Sequence, residues 1–348
     1  MRTFACQNCG QLVFFENSNC LNCEAKLGFE PGENEVITLL DVGNDMQLDR
    51  FDGEPGSFYR CKNAGLVRCN WLVTDEGDLC ASCALTRTRP ADSDASGIER
   101  LAAAEAAKRR LLFELRELDL PVGDDLTFDL LSSDGQAVTT GHADGVITLD
   151  LAESDDARRE RRRHQLGEPY RTLLGHMRHE IGHYYFPILT DTDEKLAKAR
   201  ELFGDETTDY SAALDRHYAE GPPADWSRSY VSAYATMHPS EDWAETFAHY
   251  LHIRDTLQTA AEYRIQVGGP DAVARVKPTT DLRSTPREGD LPFTEILGEW
   301  LPLTYALNAL NRSMGRDDLY PFVLPPPVVD KLALVDELVV GLPHDGSQ

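Results

Sequence analysis

The chain has 348 residues with 41% hydrophobic and 8% aromatic content, so we expect a soluble globular protein of one large or two smaller domains. Its net charge of −25, from 59 acidic and 34 basic residues, disfavours nucleic acid and anionic membranes as partners. The sequence has no apolar run of bilayer length, and its start, MRTFACQNCG, lacks a secretory leader, so we expect a cytoplasmic protein.

All eight cysteines lie within residues 6–83, and in a reducing compartment this clustering favours metal binding over disulfides. The first four form two C-x2-C pairs separated by ten residues, and they are Cys6, Cys9, Cys20 and Cys23. Each pair can present two thiolates to one ion, and two pairs complete a tetrahedral site. We predict a structural zinc ion here.

The other four cysteines have less regular spacing, and they are Cys61, Cys69, Cys80 and Cys83. We predict a second structural zinc site, with partly free thiols around a small apolar core as the alternative. Residues 1–88 hold 7 Lys and Arg against 13 Asp and Glu, without a basic patch. We therefore expect a structural or protein-contacting zinc ribbon rather than a nucleic-acid reader.

A polar linker follows at residues 89–98, and the Ala- and Leu-rich segment from Ile98 predicts a helix. The segments LTFDLL and GVITLDLA predict two strands, one of which we expect to form a sheet edge with which an extended peptide could pair. Five arginines between Arg158 and Arg163 indicate a solvated face just before the next helix.

The octapeptide HEIGHYYF contains an H-E-x-x-H motif, His179-Glu180-Ile181-Gly182-His183. On a helix the two histidines lie on one face, with Glu180 beside the point where they converge. Two imidazoles and an adjacent carboxylate suit a catalytic zinc ion and a general base for its water. His176 shares that face, and we expect it to pack beside the site or to support a ligand.

The third ligand of this site is predicted to be a glutamate on a second helix. The metzincin pattern needs Gly at position 186 and His at position 189, where this chain has Phe186 and Leu189. In residues 232–255, Glu241, Glu245, His249 and His252 form a polar stripe on a helix that is otherwise apolar.

We choose Glu241 as the ligand, with Glu245 accepting the outer N–H of a ligand histidine, although the reverse assignment is open. Tyr234, seven residues before Glu241, is a candidate oxyanion stabiliser, and His238 is its rival.

These segments resemble the bacterial zinc-binding metallopeptidases that carry an N-terminal zinc ribbon. The resemblance spans most of residues 1–260 and rests on the C-x2-C pairs, CNWLV with CASC, EPYRTLLGHMRHEIGHYY, DYSAALDRHYAEGPPADW and YVSAYATMHPSEDWAETFAHYLHI. The tract from Tyr234 to Glu245 also resembles that of some gluzincin toxin proteases. That likeness implies the same roles for Tyr234, Glu241 and Glu245, but Asp242 replaces an aromatic residue of those toxins.

We therefore expect an α+β protein with a small β-rich zinc-ribbon module at 1–88, a linker at 89–98 and a mainly helical gluzincin-like domain with a small sheet at 99–348. In the last part, LPFTEILGEWLPLTYALNALNRSMG predicts paired helices. The expected activity is zinc-dependent hydrolysis of peptide bonds in a peptide or protein substrate. The alternatives are a non-catalytic module that binds a protein partner and hydrolysis of a non-peptide amide.

Overall fold

The computed structural model describes residues 2–41, 47–133, 138–155, 172–268 and 292–342. Its β-rich N-terminal part precedes a mainly helical part with a small sheet, which confirms the predicted fold class. Contacts divide the chain into one unit of residues 1–116 and 122–160 and another of 117–121 and 161–348. The predicted boundaries at 88 and 99 stay a prediction, and the arginine run at 158–163 lies outside the described residues.

The first unit begins with a short hairpin of β1 (Phe4–Ala5) and β2 (Leu12–Val13). A five-stranded antiparallel sheet follows, formed by β3 (Lys26–Glu30), β4 (Glu35–Asp41), β5 (Leu48–Arg50), β6 (Ser57–Arg60) and β7 (Leu72–Val73) in that order. Two single-turn helices, α1 (Ala64–Val67) and α2 (Ala81–Ala84), flank β7 along the chain. Seven of the eight cysteines lie in the turns and loops around these elements, and Cys83 lies in α2.

Aromatic side chains fill the core of this unit. The Phe29 ring lies 4.9 Å from Phe15 and 4.7 Å from Trp71, measured between ring centroids. Phe113, from helix α3 (Ala95–Glu117), closes the cluster 5.1 Å from Phe15. Helix α3 begins three residues before the predicted Ile98, and its buried aromatic ring contributes to the core of the cysteine-rich unit.

A second sheet contains β8 (Thr86–Thr88), β9 (Thr127–Leu131), β10 (Gly141–Ala143) and β11 (Val146–Asp150), arranged β10-β11-β9-β8. The predicted strands LTFDLL and GVITLDLA are β9 and β11, which pair in parallel. The prediction that one of them forms a sheet edge is wrong. β8 pairs with the outer side of β9, and β10 pairs with the outer side of β11. Neither β9 nor β11 therefore has a free edge for a substrate strand.

The second unit is built from six α-helices within the described residues, with α4 and α7 packed against each other at its centre. The helices are α4 (Leu173–Leu189), α5 (Asp193–Phe203), α6 (Tyr210–Glu220), α7 (Pro239–Glu262), α8 (Phe293–Ser313) and α9 (Pro326–Val340). The apolar side chains of α7 include Trp243, Phe247 and Leu251, and each of the three is fully buried.

Helix α8 replaces the predicted pair of helices with one continuous element. Pro302 lies inside it, where a missing N–H and a ring clash normally interrupt a helix. Burial of Ile296, Trp300 and Leu303 on the same helix offsets that cost, since each is at most 3% exposed. Among the described residues, no helix combines the length and apolar character that a membrane crossing requires.

Candidate metal centre

The two cysteine clusters each gather four sulfur atoms. Within each cluster the Sγ atoms all lie within 4.8 Å of one another. The pairs Cys6–Cys23, Cys9–Cys20 and Cys69–Cys80 are each 3.6 Å apart, too far for a disulfide of about 2.05 Å. Four sulfurs around one zinc ion, with bonds of about 2.3 Å, lie about 3.8 Å apart. Both clusters therefore fit a tetrahedral zinc site.

Helix α4 presents the histidines of the H-E-x-x-H motif. Its N-cap is Thr172, whose hydroxyl accepts the N–H of Gly175 at 2.9 Å. His179 and His183 follow one turn apart, and their ring centroids are 5.0 Å apart. His179 is buried and His183 is partly exposed, so the pair lies at the boundary between the core and the solvent.

A glycine lets α7 approach this helix closely. A Cβ atom at Gly182 would lie 3.0 Å from Ala244 Cα and 3.2 Å from the Ala244 carbonyl oxygen. The carbonyl of Gly182 also accepts a hydrogen bond of 2.8 Å from Trp243 Nε1. The small residues fix the distance between the two helices, and the Trp243 bond fixes their relative position.

We predict that Gly182→Ala destabilises the protein, because the new methyl group meets backbone atoms that cannot rotate away. The expected loss is about 1–3 kcal/mol in the free energy of unfolding, measured by denaturant titration. Gly298→Ala on α8 is the matched control, since its Cβ meets nothing within 4 Å. That variant should gain about 0.5–1 kcal/mol of helix propensity. Equal effects in the two variants would contradict the close approach of α4 and α7.

Glu241 on α7 lies beside both histidines of α4. Its Oε2 atom is 2.9 Å from His179 Nε2 and 3.5 Å from His183 Nε2. Two donor atoms of a tetrahedral zinc site, with bonds of about 2.0–2.1 Å, lie about 3.3 Å apart. Among the described residues these three form one of the three groups able to hold a metal ion, the other two being the cysteine clusters. Their donor set and spacing fit a zinc ion with three protein ligands.

Glu245 lies on the opposite side of the His179 ring. Its Oε1 atom is 2.7 Å from His179 Nδ1, whereas Glu241 faces Nε2. Burial raises the pKa of Glu245, but the hydrogen bond and charge of His179 outweigh it and lower that pKa to about 2. For His179, burial lowers the pKa, but bonds to Glu241 and Glu245 raise it well above its ordinary value. An ionised Glu245 orients the ring and directs Nε2 towards Glu241 and His183.

Glu180 is buried beside the histidines, with only 4% of its surface exposed. His176, one turn earlier, places Nε2 3.2 Å from Glu180 Oε1. Burial raises the pKa of Glu180, but the hydrogen bond from His176 and the charges of His179 and His183 lower it overall. The carboxylate is therefore held ionised next to the three candidate ligands, as a proton acceptor requires.

Two tyrosines complete the group. The ring of Tyr234 lies 6.0 Å from that of His179. Burial, followed by the charge of Glu241, raises the pKa of Tyr234, so its hydroxyl keeps its proton. The hydroxyl of Tyr210 donates a hydrogen bond of 3.0 Å to Glu241 Oε1. Sequence reasoning missed Tyr210, which is 31 residues from Glu241 and belongs to no ligand spacing, although DYSAALDRHY contributes to the resemblance.

His238, the rival of Tyr234, is the N-cap of α7. Its Nδ1 accepts the N–H of Ser240 at 3.1 Å, and its Nε2 lies 3.0 Å from the carbonyl oxygen of Thr208. His238 is 4% exposed, so both ring nitrogens have partners inside the protein. The remaining histidines of the predicted stripe lie further along α7, where His249 pairs with Tyr320 and His252 contacts Arg178.

Comparisons with known proteins agree with this architecture. Residues 3–94 match a zinc-ribbon domain, and residues 97–338 match the family described as "Putative zinc-binding metallo-peptidase". The matched families and the cysteine clusters together support zinc binding by this chain. No solved structure matches this fold significantly.

The chain is also similar to curated proteins of mycobacteria along nearly its whole length. An uncharacterized protein of Mycobacterium bovis and two of Mycobacterium tuberculosis are each 51% identical to it, over 97% of this chain and 95% of theirs. The ribbon, the H-E-x-x-H helix and the extent of the family match lead to one conclusion. The chain belongs to the zinc-binding metallo-peptidase family and carries an N-terminal zinc ribbon.

Proposed function

We propose that this chain is a zinc-dependent peptidase of the gluzincin type, with His179, His183 and Glu241 as ligands of the catalytic ion. The observation that carries this proposal is the buried Glu180 carboxylate beside a two-histidine, one-glutamate group. A purely structural zinc site is closed by four ligands and needs no neighbouring base. The family match supports the reaction class, peptide hydrolysis.

The residues around the ligands divide the chemistry among them. A zinc ion in this site would acidify a water molecule and polarise the substrate carbonyl. Glu180 accepts a proton from the attacking water and returns it to the leaving amine. Tyr234, protonated because its pKa is raised, donates a hydrogen bond to the carbonyl oxygen as negative charge develops there. Glu245 holds His179 in the orientation that this arrangement needs.

The cysteine clusters have a different role in the proposal. Cys6, Cys9, Cys20 and Cys23 hold one structural zinc ion, and Cys61, Cys69, Cys80 and Cys83 hold another. Four thiolates leave no open position for water or substrate, so these ions stabilise the fold. The proposed total is three zinc ions per chain, of which one is catalytic.

Removal and return of one metal ion tests the proposal. We expect 1,10-phenanthroline to withdraw one of three zinc ions from the purified chain, because only the helix site has an open position. Cleavage of a proteome-derived peptide library, followed by mass spectrometry of new termini, should then stop. One equivalent of zinc should restore it. Cleavage that persists after the third ion has left would refute a catalytic role for that ion.

A further inference from the structure

Tyr210 contacts the oxygen of Glu241 that does not face the histidines. The phenol hydroxyl donates to Oε1 at 3.0 Å, whereas Oε2 lies 2.9 Å from His179 Nε2. The two oxygens of this buried carboxylate therefore have separate partners. Tyr210 is 43% exposed, and its hydroxyl reaches a carboxylate that is 3% exposed.

The chain before Tyr210 is fixed to the helix that carries Glu241. His238 Nδ1 accepts the N–H of Ser240 at 3.1 Å, so its proton is on Nε2 and is donated to Thr208 O at 3.0 Å. The side chain of Asp209 then caps helix α6 by accepting the N–H of Ala212 at 3.0 Å. These bonds place Tyr210, the first residue of α6, directly opposite the first turn of α7.

We propose that Tyr210 is a positioning residue that holds Glu241 as a one-oxygen zinc ligand, an inference that rests on the metal site of the proposed function. The hydroxyl occupies Oε1, so that only Oε2 is directed at the site shared with His179 and His183. A carboxylate that lost this bond could rotate or bind through both oxygens, at the expense of the open position that a water molecule needs. Groups that orient metal ligands in this way contribute about 10–100-fold to metal affinity.

The test is Tyr210→Phe, which removes the hydroxyl and keeps the ring. The matched control is Tyr218→Phe on the same helix, where the residue is 73% exposed. Zinc affinity of the full chain is measured by competition with a fluorescent chelator. The Glu241→Ala variant, which we expect to lack the third zinc ion, is the reference for the affinity of the two zinc ions held by the cysteines. We expect Tyr210→Phe to weaken binding of the third zinc ion by about 10-fold or more, and Tyr218→Phe to leave it unchanged.

A double variant separates positioning from general stability. Tyr210→Phe should lower the thermal unfolding temperature less in the Glu241→Ala background than in the wild-type chain, because that background has already lost the bond to Glu241 and keeps only the one to Tyr234. Equal zinc affinities of wild type and Tyr210→Phe would overturn the inference. So would a similar loss of stability in both backgrounds, or a wild-type chain with only two zinc ions.

This readout does not depend on hydrolysis. A wild-type chain that binds a third zinc ion but cleaves no peptide would refute the proposed activity, while the affinity comparison would still decide the role of Tyr210. Conversely, an active Glu180-dependent peptidase with unchanged zinc affinity in Tyr210→Phe would refute only the positioning role.

Discussion

Glu180→Gln is expected to abolish peptide hydrolysis while all three zinc ions remain bound. The amide has nearly the shape of the carboxylate but does not accept a proton from water, and general base catalysis of this kind contributes about 10²–10⁴-fold to the rate. Glu180 is outside the ligand group, and its carboxylate contacts His176. The measurements are cleavage of the peptide library and zinc content by atomic emission.

The control for this substitution is Glu201→Gln on helix α5, where the side chain is exposed. It removes the same charge away from the site and should cleave at the wild-type rate. Wild-type cleavage by rigorously purified Glu180→Gln would contradict the assigned mechanism. Loss of the third zinc ion in that variant would instead show that Glu180 acts on the metal.

Glu241→Ala is expected to eliminate the third zinc ion and with it all hydrolysis, because one of three protein ligands disappears. Glu245→Ala should retain the site with zinc affinity lowered by about 10–100-fold, since it removes a group that only orients His179. The difference follows from the two faces of the His179 ring, with Glu241 at Nε2 and Glu245 at Nδ1. Chelator competition on each full-length variant measures both affinities.

The two glutamates are matched in charge and sit one turn apart on the same helix, so each variant controls for the other. A third zinc ion retained by Glu241→Ala but lost by Glu245→Ala would reverse their roles. Wild-type zinc affinity in both variants would mean that neither carboxylate binds the ion directly.

Local spacing was sufficient to predict the parts of the candidate site that lie within one helix. The separation of His179 and His183 places both imidazoles on one face of α4 whatever surrounds it. The same holds for the two glutamates of α7, which follow each other by four residues. The cysteine spacings likewise predicted two clusters, because each C-x2-C turn is a local structure.

The choice between Glu241 and Glu245 depends on contacts between helices, which spacing does not contain. Which carboxylate faces Nε2 of His179 depends on the close approach of α4 and α7 at Gly182 and Ala244. It also depends on the hydrogen bond from Trp243 to the Gly182 carbonyl. Tyr210 was missed for the same reason. Its hydroxyl reaches Glu241 from the start of α6, next to the segment that His238 contacts, and a contact of this kind between distant segments leaves no periodic pattern in the sequence.

The incorrect predictions also concern long-range structure. The strands β9 and β11 were recognised, but their neighbours β8 and β10 cover the edges that a substrate would need. The segment around Pro302 was predicted to form paired helices, whereas burial of the surrounding apolar side chains keeps α8 continuous. In both cases a local pattern was overridden by packing of the whole unit.

The most direct test of peptidase activity compares cells that contain the wild-type chain with cells that contain Glu180→Gln at the same level. Mass spectrometry of the intracellular peptides measures which termini depend on the proposed general base. We expect a set of peptide termini that is present with the wild type and absent with Glu180→Gln. Identical peptide termini and abundances in the two cell populations would contradict it.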